Sequence, residues 1–252
     1  TKLVSIKKTF SSKKMFNNKY PYRSSMSKTV NNSFKLLSKK IKKEISPRKI
    51  LEIGSNDGSF LKNFNKKKSV GIEPCSNIEK ITKQNGYRTF ANYWNKNTAL
   101  KILKKFGKFD LIYSANTISH IKNLNDVFKN INLVLTDRGS LIIEDPSLIE
   151  CLKKNTYDQF YNEHIYVFSF IGLSYLLKKN NLEIYKVENL SVHGGSNRYY
   201  IKKTNNDKKI EISSYNQFRK EKKYGIDKIN TYYSFKKRVE KSKKNLLLLV
   251  NK

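Results

Sequence analysis

The chain has 252 residues, with 52 Lys and Arg against 20 Asp and Glu, a formal charge of +32. Its hydrophobic share of 38% is enough for a core at this length, but no apolar run could span a bilayer, so no membrane partner is expected. Cys75 and Cys151 give neither zinc-ligand spacing nor a disulfide framework, so we expect no metal and a reduced, cytoplasmic setting. The charge excess is almost all lysine spread along the chain, whereas phosphate and groove readers lean on arginine, and only seven arginines occur. It reads as a solvated coat that would still attract a phosphorylated small molecule.

Residues 1–46 read as a basic N-terminal segment holding "NKYPYRSSMSKT" and a helix over "NNSFKLLSKKIKKEI". From Arg48 the pattern becomes regular. "KILEIG" predicts a strand and "SNDGSFLKNF" a turn into a helix; "SVGIEP" predicts a strand and "SNIEKITKQNG" a helix. A weaker strand lies near "YRTFA", with a helix across "WNKNTALKILKKFG". Then come a strand "KFDLIYSAN", a helix "LNDVFKNINLVLTDRG" stopped by Gly139, and a strand "SLIIEDP". Strands alternating with helices at this spacing predict βαβ units and a mainly parallel sheet. After Pro146 the rhythm breaks around "YNEHIYVFSF". It resumes with a helix "SFIGLSYLLKKNN" capped by Ser169, a strand "LEIYKVENL", a loop "SVHGGS" and a strand "NRYYIKK". The last two predict a reversed hairpin closing the sheet, and the lysine-rich tail reads as one or two long helices. Residues 47–205 would thus form the main domain and 206–252 a helical tail.

Two stretches carry chemistry. In "LEIGSNDGSF", Gly54 and Gly58 sit in a strand-to-helix turn, and Glu73 ends the next strand, placed to receive a ribose diol. The turn is not GxGxxG, and Glu52 and Asp57 would repel phosphate. Such a site suits a cofactor with an ammonium group and no phosphate, which is S-adenosylmethionine (SAM). With Asn56, Pro74 and Asn116, which ends the fourth strand, these residues form the expected cofactor site. In "YNEH", His164 can take a proton near neutral pH, Tyr161 can donate to an enolate oxygen, and Glu163 can orient the imidazole or a sugar hydroxyl. An extended segment would put Tyr161 and His164 on opposite faces; a turn, which we favour, puts them on one face.

"YDQFYNEHIYVFS" followed by "VHGGSNRYY", behind "EIGSNDG", "GIEP" and "NTISHI", resembles the nucleotide-sugar C-methyltransferases that methylate C-3 of 4-keto-deoxysugars, and their surface-polysaccharide relatives. The resemblance runs from about Tyr20 to Val239. It implies a Rossmann-like SAM-dependent methyltransferase fold, with His164 the base and Tyr161 and Glu163 its neighbours. It further implies Tyr22 near the SAM sulfur with Tyr20 beside it, and His120 as a second site histidine. The loop His193, Gly194, Gly195, Ser196 and Arg198 would lie against the sugar nucleotide, Arg198 facing its diphosphate. Family members begin with a cysteine-rich zinc module and end with a second Rossmann-like domain, and this sequence is expected to lack both. Methylation of nucleic acid or another acidic substrate is the alternative that the charge suggests. Oligomeric state is left open.

Overall fold

The computed structural model describes residues 2–251, the side chain of His193 excepted. In chain order its elements are β1 (Val4–Ser5), α1 (Ser12–Met15), α2 (Lys28–Glu44), β2 (Ile50–Ile53), β3 (Ser69–Ile72), α3 (Ser76–Gln84), β4 (Arg88–Phe90) and α4 (Lys96–Phe106). There follow β5 (Phe109–Ala115), α5 (Leu124–Val134), β6 (Leu135–Pro146), α6 (Leu148–Lys154), β7 (Tyr166–Val167), α7 (Phe170–Lys178), β8 (Leu182–Leu190), β9 (Ser196–Lys203), α8 (Ile212–Tyr224) and α9 (Ile229–Val250).

Seven strands form one sheet in the order β4-β3-β2-β5-β6-β9-β8. Strand pairs are parallel except where β9 runs against both β6 and β8. The hairpin is therefore present, but only β9 is reversed; the edge strand β8 runs with the rest. Period-two alternation splits the buried side chains between two faces. Leu51, Ile53, Ile112, Leu141, Ile143 and Tyr199 pack with α4, α5 and α7. Ile50, Leu111, Tyr113, Ile142 and Tyr200 pack under Phe34, Leu37 and Ile41 of α2. Those three α2 residues fall at helical spacing on one stripe. Each fully buried side chain of this size contributes roughly 1.5–3 kcal/mol.

Local chemistry sets the helix starts. Ser27, Asn95, Asn123 and Ser169 each turn a side-chain oxygen to a backbone N–H of the first turn, so the cap read at Ser169 is present. Two expectations fail. No α-helix follows β2: the chain turns through Phe60, buried against Phe34 and Tyr113, and makes only short 3₁₀ turns at Leu61–Asn63 and Lys66–Lys68. Aromatic packing under α2 fixes that segment more strongly than helix propensity does. The helix expected to run to Gly139 stops at Val134, and β6 takes residues from Leu135 onward, with an irregularity in its pairing to β5 between Phe109 and Leu111.

Helix α8 anchors α7 through one carboxylate. Glu221 is fully buried and accepts from the N–H groups of Phe170 (2.7 Å) and Ile171 (3.0 Å), the orphan donors at the α7 N-terminus. Glu221→Ala leaves both unpaired in an apolar setting. We expect a loss of about 2–4 kcal/mol, read as a lower urea midpoint, with Glu221→Gln costing less because it keeps an acceptor.

Candidate active site

The sheet's topological switch point lies between β2 and β5, and there a cavity of about 1120 Å³ opens at the strands' carboxyl ends. Glu52, Gly54, Asn56, Glu73, Pro74 and Asn116 line it, as do Tyr20, Tyr22, His120, Tyr161, Glu163 and His164. Segments more than a hundred residues apart thus converge on one space.

On the cofactor side, Gly54 takes φ +76°, and its N–H donates to the Ile72 carbonyl (2.8 Å), closing the turn after β2 onto β3. Asn56 and Asn116 hold φ +47°, a conformation asparagine tolerates. The Glu73 carboxylate accepts from the N–H groups of Asn56 and Cys75, each at 2.9 Å. Those two bonds orient it and leave lone pairs for a diol. Burial pushes Glu73 up, opposed by these bonds. Glu52 is raised further, first by burial and then by Glu73 and Asp57, and its Oε2 is buried with no partner. An acceptor awaiting a donor, a diol-facing carboxylate, and a turn with no helix N-terminus to hold phosphate together fit SAM and disfavour a dinucleotide.

Two expected cofactor residues do other work. Asp57 accepts from the Ser25 N–H (3.0 Å) and the Ser59 hydroxyl (2.7 Å), and Gly58 packs against Thr82; neither lines the cavity. Asn56 lines it, but its side chain accepts from the Ser24 N–H (2.8 Å) and donates to the Tyr22 carbonyl (3.2 Å). These contacts hold a strap. Its start, β1, pairs antiparallel with β7, Val4 opposite Val167, and residues 11–25 then cross the cavity mouth. Asn77 fixes the Tyr20 carbonyl (2.9 Å), and Tyr93 donates to that of Phe16 (2.6 Å).

On the opposite side, "YNEH" is a turn leading into β7, and Tyr161 and His164 share a face, their rings 4.4 Å apart. His164 Nδ1 lies 3.0 Å from the Gln159 carbonyl. A carbonyl only accepts, so Nδ1 carries the proton of the neutral ring, and the Nε2 lone pair faces the Tyr161 hydroxyl at 3.4 Å. Burial, then Glu163, raises Tyr161; burial raises Glu163, opposed by a hydrogen bond from Tyr20.

His120 stacks between Phe16 (5.4 Å) and His164 (5.1 Å), with Nε2 buried and unpartnered. Burial, then the nearby His164, pulls its pKa from 6.5 to about 3. A depressed histidine pKa means that the unfolded chain binds the proton more readily, so this group costs stability as pH falls from 6.5 toward 3. Raised carboxyls such as Glu52 and Glu73 act in the opposite sense. We expect His120→Gln to resist acid better than the wild type relative to its own pH 8 stability, checked by urea titrations from pH 8 to pH 4.

The glycine loop departs from expectation. Gly194, Gly195 and Ser196 do not line the cavity, Val192 does, and the His193 side chain lies outside the described residues. Arg198 sits buried on β9, with Nε 2.8 Å from Glu144 and Nη1 2.7 Å from Glu188. A guanidinium so committed is not free for a diphosphate. Trp94 is both core and cavity wall. Phe16 and Glu144 were missed: Phe16 belongs to no sequence period, whereas Glu144, an acid near the carboxyl end of a parallel strand, could have been found by the switch-point rule.

Fold and site define a methyltransferase of the Rossmann-like, SAM-dependent class. A family model described as a methyltransferase domain matches residues 22–187, and one described as a C-methyltransferase C-terminal domain matches residues 191–252. The chain belongs to the methyltransferase-domain family, whose model matches more than half of it. The second match starts in the β8–β9 loop and covers β9 together with the stretch read from sequence as a helical tail. The C-methyltransferase NovU of Streptomyces niveus is 28% identical over 122 residues, 48% of this chain and 29% of NovU, so the match spans less than a third of that relative. In fold, the PH0226 protein of Pyrococcus horikoshii OT3 is similar at TM-score 0.57 and 17% identity, over 72% of this chain and 94% of that one. A SAM-dependent methyltransferase of Thermotoga maritima is similar at TM-score 0.50 and 18% identity, over 68% and 88%. Among the described residues no helix is long and apolar enough to cross a membrane, and no acid, histidine and cysteine group could hold a metal.

Proposed function

We propose that the protein methylates a carbon α to a ketone on a nucleotide-linked deoxysugar. The observation that carries this reading is the orientation of His164. Its Nδ1–H is tied to the Gln159 carbonyl, so Nε2 is the basic atom, and it faces the cavity beside the Tyr161 hydroxyl. A C–H bond next to a carbonyl gives up its proton to such a base, and the charge that builds on the carbonyl oxygen calls for an O–H donor. Tyr161 supplies that donor, with Tyr22 on the facing strap. SAM, when bound, supplies the electrophilic methyl group. Glu52, Glu73 and the Gly54 turn would hold it. His120, neutral at working pH, adds no charge to repel the proton arriving at His164. On the strap, Phe16 stacks on His120, which in turn stacks on His164. Support for a sugar comes from the "YNEH" and "HGGSNR" blocks and the partial NovU match.

The test is to incubate the wild type in deuterated water with a panel of nucleotide-linked 4-keto-deoxysugars, with and without SAM. One sugar should exchange its α-proton without SAM and gain a carbon-bound methyl with it. Methylation without exchange, or a methyl on oxygen or nitrogen, would remove the enolate reading. Methylation of RNA alone would turn the assignment to nucleic acid.

A further inference from the structure

The α2 side of the cavity holds a carboxylate outside the mechanism above. Glu144 lies two residues before the end of β6, lines the cavity, and stands opposite Ala115 of β5 and Arg198 of β9 in the sheet. Both of its hydrogen bonds, from the Tyr113 hydroxyl (2.9 Å) and Arg198 Nε (2.8 Å), end on Oε1. Oε2 accepts none among the described residues. Arg198 is held in turn by Glu188, which Lys40 of α2 also reaches. A chain of charged groups thus runs from α2 across β8 and β9 to the cavity wall and ends on one oxygen.

Three of the other four lining acids are otherwise engaged. Glu73 has an N–H on each oxygen, Glu163 is coupled to Tyr20, and Asp126 accepts from the Asn123 amide, while Glu52 keeps an unpartnered oxygen but has no ion pair among the described residues. Glu144 is the lining carboxylate with a fixed guanidinium against one oxygen and the other oxygen unclaimed. An oxygen with open lone pairs is satisfied by N–H donors, which an ammonium has and a sulfonium lacks.

We propose that Glu144 binds the α-ammonium group of SAM, and that Arg198 is a positioning residue that holds Glu144 for this role instead of contacting substrate phosphate. The inference concerns the cofactor and stands apart from the identity of the sugar.

Calorimetric titration of the whole chain with S-adenosylhomocysteine and with 5′-methylthioadenosine tests it, because only the first carries the amino-acid group. Glu144→Gln should weaken S-adenosylhomocysteine about 10- to 100-fold, the loss expected for an ionic hydrogen bond, and leave methylthioadenosine unchanged. Arg198→Lys should shift the same ligand in the same direction, and the double variant should be no worse than Glu144→Gln alone. Affinity for uridine diphosphate should stay at the wild-type value in Arg198→Lys. Thermal melts check folding, and Glu144→Asp, which retracts the charge by one methylene, serves if the glutamine variant does not fold. Equal losses for both adenosine ligands, or none for S-adenosylhomocysteine, would overturn the proposal. So would a loss confined to uridine diphosphate in Arg198→Lys. No S-adenosylhomocysteine binding by the wild type would overturn the cofactor site with it, whereas a failed sugar panel with that binding intact would remove only the sugar.

Discussion

His164→Gln should lose about 100- to 10,000-fold in turnover, the range for removing a general base, while S-adenosylhomocysteine affinity changes little. The argument rests on placement. His164 belongs to the turn before β7 and is tied to Gln159 and Tyr161 of that same turn, whereas the cofactor turn follows β2. Solvent exchange at the α-carbon should fall by the same factor as methylation, because both need the same proton removed. Exchange surviving while methylation fails would assign His164 to alignment and leave the base elsewhere. Tyr161→Phe keeps the ring and deletes the donor. It should slow methylation less than His164→Gln, since Tyr22 also lines the site.

Gly54→Ala is expected to disturb the scaffold and the cofactor turn together. An added Cβ would stand 2.1 Å from Thr117 Oγ1, 2.6 Å from its Cγ2 and 2.8 Å from its Cβ. No rotation of Thr117 clears a contact that includes its own Cβ, so backbone must shift. Gly54 also holds φ +76°, which penalises any side chain. Overpacking and backbone strain together predict about 2–4 kcal/mol lost. SAM affinity should fall too, because Thr117 lines the cavity on the cofactor side. Thr117→Gly in the Gly54→Ala background should restore part of the stability by clearing the clash and none of the strain. A single variant with wild-type stability and affinity would show that the turn can shift without consequence.

The sheet was legible because its strands are short apolar runs separated by glycine, asparagine and proline, signals that depend on near neighbours in sequence. The segment after Gly58 was not, since the choice between helix and turn is made by Phe60 stacking on Tyr113, more than fifty residues away in sequence. The start of β6 was masked likewise: "LTDRG" suits the end of a helix, yet β5 alongside recruits Leu135 into the sheet. Within the site, Tyr161 and His164 could be paired once their segment was read as a turn. Arg198 could not, because a sequence does not say whether a basic residue meets a substrate or two buried carboxylates. The strap was legible only by resemblance: its anchors are backbone groups of Tyr20, Ser24 and Ser25, and backbone carries no residue signature.

That strap separates two kinds of inheritance within one molecule. The sheet and its cofactor turn are held by continuous ladders of backbone bonds and a shared core, whereas the strap is stitched on by β1 and a few side-chain contacts. On the function proposed above, the substrate-facing groups form a cassette that could be exchanged as a unit. Transplanting residues 11–25 together with the 157–168 turn from a relative would import that relative's substrate preference onto an unchanged methyl-donor platform, provided that the recipient keeps Asn56, Asp57 and Asn77 as the buttonholes.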